Sequence, residues 1–222
     1  MKITCLSDTH MRLDKVPALP GGDTIVHSGD LTGRGEIWEM ERELKKLGDL
    51  KKRYQYVHCI YVAGNHDWLA FRDQTRVREL CKKNGIIYLQ DEEVTLDGVR
   101  FYGSPWQPAF CGWAFNLPRG EALRKVWDQI PTNGIDYLIT HGPPYGILDE
   151  VVKVDGTSYH PPELVGCADL LNRLLHVKPK VHQFGHIHCA SGEKTFMDIK
   201  FINASMCDEM YMVTNPVREV EI

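Results

Sequence analysis

Asp8-Thr9-His10, Gly29-Asp30, Gly64-Asn65-His66-Asp67, His141 and Gly185-His186-Ile187-His188 are five short blocks of metal-type side chains, each closing an apolar run. They hold five of the ten histidines. Imidazole, carboxylate and amide donors brought by separate segments are what a transition-metal site requires. Any one block has a plain alternative, because Asp-Thr-His and Gly-Asn-His-Asp also make turns. Their joint occurrence, each at a strand exit, points to a dinuclear centre. Two adjacent divalent ions need a carboxylate between them, and Asp30 after the permissive Gly29 is placed to supply it. Asp8 and His10 are two residues apart, as are His186 and His188, so extended backbone would turn each pair to one side. Asn65 adds a neutral oxygen and His141 a further imidazole.

The elements that must position these residues can be read from periodicity. Residues 3–6, 24–27, 57–63, 135–140 and 180–184 are β-branched-rich runs followed by the polar blocks, as strands read when a site lies beyond their C-terminal ends. Helical spacing recurs at Ile37, Met40, Leu44 and Leu47, at Leu123, Val126, Trp127 and Ile130, and at Leu164, Ala168, Leu171 and Leu175. Pro161 and Pro162 suit the first turn of the last of these. Asp97-Gly98 between residues 94–96 and 99–102 predicts a hairpin, while residues 195–202 and 217–222 alternate as half-buried strands. The pattern supports mixed α/β structure.

A chain of 222 residues with 43% hydrophobic and 25% charged content reads as one soluble globular domain over 1–222. A net charge of −4 leaves no footprint for nucleic acid or an anionic membrane, and no run reaches the roughly 18 residues of a membrane span. Seven cysteines without a C-x-x-C pair, and a strand beginning at Lys2 without a leader before it, predict reduced thiols and a cytoplasmic setting. Phosphate-loop, dinucleotide and G-x-S-x-G serine motifs are absent. No heptad or exposed stripe suggests a protein partner.

The ordered blocks resemble the motif set of the calcineurin-like metallophosphoesterases. Leu89-Gln90-Asp91, Ser104-Pro105-Trp106, Gly112-Trp113, Phe115-Asn116-Leu117-Pro118-Arg119-Gly120, Thr140-His141-Gly142-Pro143-Pro144 and Ile202-Asn203-Ala204-Ser205 are similar to the metallophosphoesterase-domain-containing (MPPED-type) subgroup, which is associated with hydrolysis of cyclic nucleotides and related phosphodiesters. The resemblance covers most of the chain. It implies an α/β fold of two facing mixed β-sheets flanked by helices. It also implies one metal on Asp8, His10, Asp30 and His188 and a second on Asp30, Asn65, His141 and His186. Some subgroup members carry glycine at the position of His186; this chain keeps the histidine. His66 would be a general acid oriented by Asp67, and a hydroxide shared by the ions would attack phosphorus in line. Manganese is the expected metal, with iron or zinc compatible with the same donors.

The expected substrate is a small phosphate ester or nucleotide. Phosphomonoester or pyrophosphate cleavage on the same centre is one alternative, and a nucleotide-binding metal protein with weak catalysis is another. Trp106, Phe110, Trp113 and Phe115 form either a packed irregular lobe or a wall that stacks on a base; Trp106, Asn116 and Arg119 are the substrate-binding candidates. His27 and His58 lie inside strand runs and read as buried, hydrogen-bonded histidines.

Overall fold

The apolar runs become short strands whose alternate side chains enter different cores. The computed structural model describes residues 1–151 and 162–222. The chain begins with β1 (Lys2–Leu6), β2 (Thr24–His27), α1 (Ile37–Arg53), β3 (His58–Tyr61), α2 (Trp68–Arg72), α3 (Gln74–Lys83) and β4 (Ile87–Tyr88). It continues with β5 (Glu92–Leu96), β6 (Val99–Ser104), β7 (Gln107–Pro108), β8 (Asn116–Leu117), α4 (Glu121–Trp127), β9 (Tyr137–Thr140), β10 (Glu150–Val151) and β11 (Glu163–Leu164). Last come α5 (Ala168–Val177), β12 (Val181–Phe184), β13 (Gly192–Phe196), β14 (Ile199–Asn203) and β15 (Arg218–Glu221).

One sheet has the order β15-β1-β2-β3-β4 and the other β13-β14-β12-β9-β6-β5. The inner strands β1 to β4 are parallel, as are β14, β12, β9 and β6, while β15, β13 and β5 add antiparallel edges. Three apolar clusters reveal the layering. Ile3, Cys5, Val26 and Ile60 of the first sheet meet Phe101, Tyr137, Ile139 and Ile202 of the second. On the outer face of the first sheet, Ile25, Cys59 and Tyr61 pack with Met40, Leu44, Val77 and Leu80 from α1 and α3. Leu138, Phe184 and Phe201 pack with Leu123, Trp127, Leu170 and Leu174 from α4 and α5. Two facing mixed sheets between helical layers is the architecture expected above, and the period-two switch of each strand between clusters is its cause.

The register decides where the chemistry lies. Leu6 pairs with His27, and His27 with Tyr61, so β1, β2 and β3 end side by side. Gln183 pairs with Ile139, which pairs with Gly103, so β12, β9 and β6 end together as well. All five polar blocks leave the C-terminal ends of these parallel strands.

Several expectations need correction. The helix expected from Leu164 begins at Ala168; Glu163 and Leu164 pair with β10 instead, and Leu164 is exposed. Pro161 lies outside the described residues. Ile37 starts α1 but is exposed, so the buried stripe is Met40, Leu44 and Leu47. Residues 195–202 form two strands, because Met197 and Asp198 both take left-handed φ and close a hairpin. Asp97 and Gly98 do the same between β5 and β6, which is the turn expected there. His27 is buried and held by Thr9 and Gly29, whereas His58 is only half-buried and pairs with Asp97.

Candidate metal centre

Four of the expected ligands follow their strands on left-handed backbone: Asp8 at φ 51°, His10 at 39°, Asp30 at 52° and His186 at 71°. Asp8-x-His10 is therefore a tight turn rather than extended chain, and His188 opens a short 3-10 turn, His188–Ala190. Non-glycine residues cost free energy in this region, and they persist where the surroundings over-determine them. Here hydrogen bonds do so. The His186 amide donates to both Asp8 oxygens at 3.1 and 2.9 Å, and the Ser205 hydroxyl lies 2.9 Å from Asp8 Oδ2. The His66 amide donates to Asp30 Oδ1 at 2.8 Å. Close approach also demands glycine. A Cβ on Gly64 would collide with the Asp30 carboxylate and the His141 ring, and one on Gly185 with Asp8 and Ser7.

The side chains converge as two groups sharing one carboxylate. His188 Nε2 lies 3.4 Å from Asp8 Oδ1 and 3.1 Å from His10 Nε2, and His10 Nε2 is 3.8 Å from Asp30 Oδ2. On the other side His141 Nε2 is 3.4 Å from Asp30 Oδ1 and 2.9 Å from Asn65 Oδ1, with a His186 ring nitrogen within 4.8 Å of both Asp30 and His141 ligand atoms. Asp30 thus turns one oxygen to each group. Atoms bound about 2.1 Å from one ion lie roughly 3.0–3.4 Å apart, and most of these separations match.

The protons make the same point. His188 Nδ1 faces the Asp208 carbonyl at 2.9 Å, and His141 Nδ1 faces the Ser28 carbonyl at 3.0 Å. A carbonyl only accepts, so both Nδ1 atoms carry hydrogen and a neutral ring presents a bare Nε2. Those lone pairs point at carboxylate oxygen, an arrangement that needs a proton or a cation between. His10 Nδ1 is buried without a partner among the described residues. Burial pushes His10 and His186 down to about 4 and about 3. Burial also opposes charge on His141 and His188, but Asp30 beside the first and Asp8 beside the second outweigh it and raise each to about 9. Asp8 and Asp30 are held below the usual carboxylate range; burial acts against this, and His188 and His141 overcome it. The donors fit a pair of divalent cations, which would replace two protons. Loading both positions with Mn2+ at pH 7.5 should release about two protons per chain, and affinity should climb with pH until about 9. Calorimetric titration in two buffers of different ionisation enthalpy reads the number; no release would contradict this electrostatic account.

The general-acid candidate is placed differently from expectation. His66 Nδ1 faces the Gly33 carbonyl at 2.6 Å, leaving Nε2 toward Asp30 Oδ2 at 4.0 Å. Asp67 does not touch the imidazole. Its carboxylate accepts from the Leu31, Thr32 and Gly64 amides and from the Thr32 hydroxyl, so it braces the two loops that carry Asp30 and Asn65. Burial and the neighbouring Asp30 charge raise its pKa.

The metal-type residues open into a cavity of about 310 Å³ whose walls include Phe110, Trp113 and Tyr211. Trp113 stacks on His66, with centroids 4.2 Å apart and planes at 26°. Tyr211 stands edge-on to His10 at 4.7 Å, and Phe110 meets His186 at 5.1 Å. Trp106 is not part of this wall: its indole N–H donates to Asp91, and its ring packs with Phe71 and Phe115. Asn116 donates to the Phe110 carbonyl, and the Arg119 guanidinium donates to the Val165 and Gly166 carbonyls. Sequence reasoning missed Tyr211, Asp208 and the Asn203–Ser205 strap, although Ile202-Asn203-Ala204-Ser205 stood out as a motif.

Comparison with known proteins gives the family and the fold. The sequence model of the family described as calcineurin-like phosphoesterase matches residues 1–190. Human metallophosphoesterase domain-containing protein 1 is 41% identical over 97% of this chain and 69% of its own length, and the mouse protein gives the same figures. A Caenorhabditis elegans UPF0046 protein is 38% identical over 94% of this chain and 76% of its own. One crystal structure superposes with a TM-score of 0.67 at 15% identity, covering 91% of this chain and 89% of that one, which is a likeness of fold. Among the described residues no helix is long and apolar enough to cross a membrane. The chain belongs to the calcineurin-like phosphoesterases, a family of metal-dependent phosphoester hydrolases.

Proposed function

We propose that this protein is a dinuclear metal-dependent phosphodiesterase acting on cyclic nucleotides or related small diesters. The observation that carries the reading is Asp30, whose two oxygens face separate groups: Asp8, His10 and His188 around one, Asn65, His141 and His186 around the other. Two divalent ions bound there would lend Lewis acidity to an attacking water and to the phosphoryl oxygens. Asp8 and Asp30, locked by backbone amides, set the spacing of the centre. His66, with Nδ1 pinned on Gly33, can hold a proton at Nε2 and pass it to the leaving oxygen. Trp113 covers one face of that ring and keeps water from it.

Charge favours a diester over a monoester. Among the described residues lining the cavity there is no Lys or Arg, and Glu209 adds a carboxylate. A monoester brings close to two negative charges at neutral pH and a diester one, so the diester is easier to hold against this wall. Aromatic walls on two sides suit planar organic groups rather than a bare phosphate. Assay with Mn2+ of bis-p-nitrophenyl phosphate, p-nitrophenyl phosphate and 2′,3′- and 3′,5′-cyclic nucleotides tests this. Diester turnover should exceed monoester turnover by about tenfold or more. Preference for the monoester would overturn the assignment, and activity surviving in Asp30→Ala would mark a contaminant.

A further inference from the structure

A second cavity of about 380 Å³ adjoins the metal cavity and shares Phe110, Val151, His186 and Ile187 with it. Its remaining described wall includes Pro143, Val165 and Gln107, together with Glu163 and with Arg119, whose guanidinium is engaged by the Val165 and Gly166 carbonyls. Gln107 is 1% exposed, and its Oε1 has no hydrogen-bond partner among the described residues. The orientation of its amide is determined by a relay. Asn116 Nδ2 lies 2.7 Å from the Phe110 carbonyl, which can only accept, so Asn116 must turn Oδ1 the other way. Gln107 Nε2 donates to that Oδ1 at 3.1 Å. The orphan is therefore an acceptor. Gly142 packs beside it, where an added Cβ would sit 3.6 Å from Oε1 and 3.1 Å from the Gln107 Cβ. A buried acceptor left unmade costs free energy that a ligand donor recovers.

We propose that this cavity is the subsite for an uncharged planar group of the substrate bearing an N–H donor, the exocyclic amine of an adenine-like nucleobase, with Gln107 Oε1 as its acceptor. The proposal rests on the phosphodiesterase reading only for placing the phosphate in the neighbouring cavity. Phe110, Pro143, Val165 and Ile187 take the ring, and the buried Gln107 acceptor selects among rings. A site built to pair a substrate N–H rejects the analogue lacking it, because the protein's own group is then left without a partner. Phe110 stands in both cavities and separates the two halves of such a ligand, and Asn116 holds it through its backbone.

The test is equilibrium binding of nucleosides to the Mn2+-loaded protein, which needs no turnover. Adenosine should bind about tenfold tighter than purine riboside, which lacks only the exocyclic amine. Gln107→Met should bring that ratio close to one. Val165→Phe, at a residue that lines this cavity and not the metal cavity, should abolish binding of both, and it serves if the Gln107 variant fails to fold. Equal affinities in the wild-type protein, a ratio unchanged in Gln107→Met, or full binding by Val165→Phe would each overturn the subsite. If wild-type protein discriminates the nucleosides yet cleaves no diester, the phosphodiesterase reading fails and the subsite stands. Diester cleavage without discrimination removes the subsite and leaves the phosphodiesterase reading in place.

Discussion

Asp30→Asn should bind at most one equivalent of Mn2+ and lose about 10³-fold or more in turnover, since the Lewis-acid contribution at stake is several kcal/mol. Among the described residues Asp30 is the one carboxylate that addresses both ligand groups. The amide keeps an Oδ1 to accept from the His66 backbone N–H at 2.8 Å, so the loop stays anchored and the loss is electrostatic. A second readout requires no metal. His141 stands at about 9 because the Asp30 charge outweighs burial; without that charge burial dominates and the value should fall, which histidine NMR titration follows. A raised folded-state value contributes stability that is complete below the unfolded value of about 6.5 and disappears as pH rises through about 9. The metal-free variant should accordingly be weaker than wild type at pH 6 and show a smaller deficit from this source at pH 9. Two equivalents of metal with turnover within tenfold of wild type would remove Asp30 from the centre.

The sequence made the donors legible because each belongs to a strand exit, and strands announce themselves by short β-branched runs. What it concealed is how those exits turn. Asp8 and His10 read as an extended pair, yet both sit at positive φ, since the side chains must fold back over the strand end rather than continue along it. Tertiary hydrogen bonds hold Asp8 there: its amide donates to the Gly29 carbonyl, and its carboxylate accepts from His186 and Ser205, which come from almost the other end of the chain. Asp67 beside His66 suggested a carboxylate–imidazole pair. Four donors from the Asp30 and Asn65 loops claim that carboxylate, and a backbone carbonyl, invisible to residue-type reasoning, takes the orienting role. Trp106 drew attention as an aromatic among glycine and proline, but Asp91 ties its N–H down inside the packed lobe. Trp113 and Tyr211 reach the site instead. Tyr211 lies past the 190 residues that carry the family motifs, in a turn whose Asp208 side chain accepts from the Met210 and Met212 amides and whose Asp208 carbonyl accepts from His188 Nδ1. The hairpin at Met197-Asp198 escaped for a related reason, as neither residue is the glycine or asparagine that advertises such a turn.

His66→Ala should keep both metals and lose activity in proportion to how poor the leaving group is. The imidazole is held on three sides: Gly33 accepts from Nδ1 at 2.6 Å, Trp113 lies flat against the ring, and Nε2 looks toward Asp30 at 4.0 Å. The anchor that His66 gives to Asp30 is its backbone amide, which alanine retains, so the ligand set is untouched. A positioned acid contributes about 10² to 10⁴ in rate when the departing oxygen needs a proton. The ribose oxygen of a cyclic nucleotide is such a leaving group, being strongly basic, and its hydrolysis should fall by that factor. The p-nitrophenolate ion departs unprotonated at neutral pH, so bis-p-nitrophenyl phosphate should lose less than about tenfold. The two losses must differ for the acid role to hold. If they match and bound metal drops below two equivalents, His66 is a ligand, a role its proximity to His10 and Asp30 makes a concrete rival; if they match with metal intact, the imidazole shapes the cavity without handling the proton.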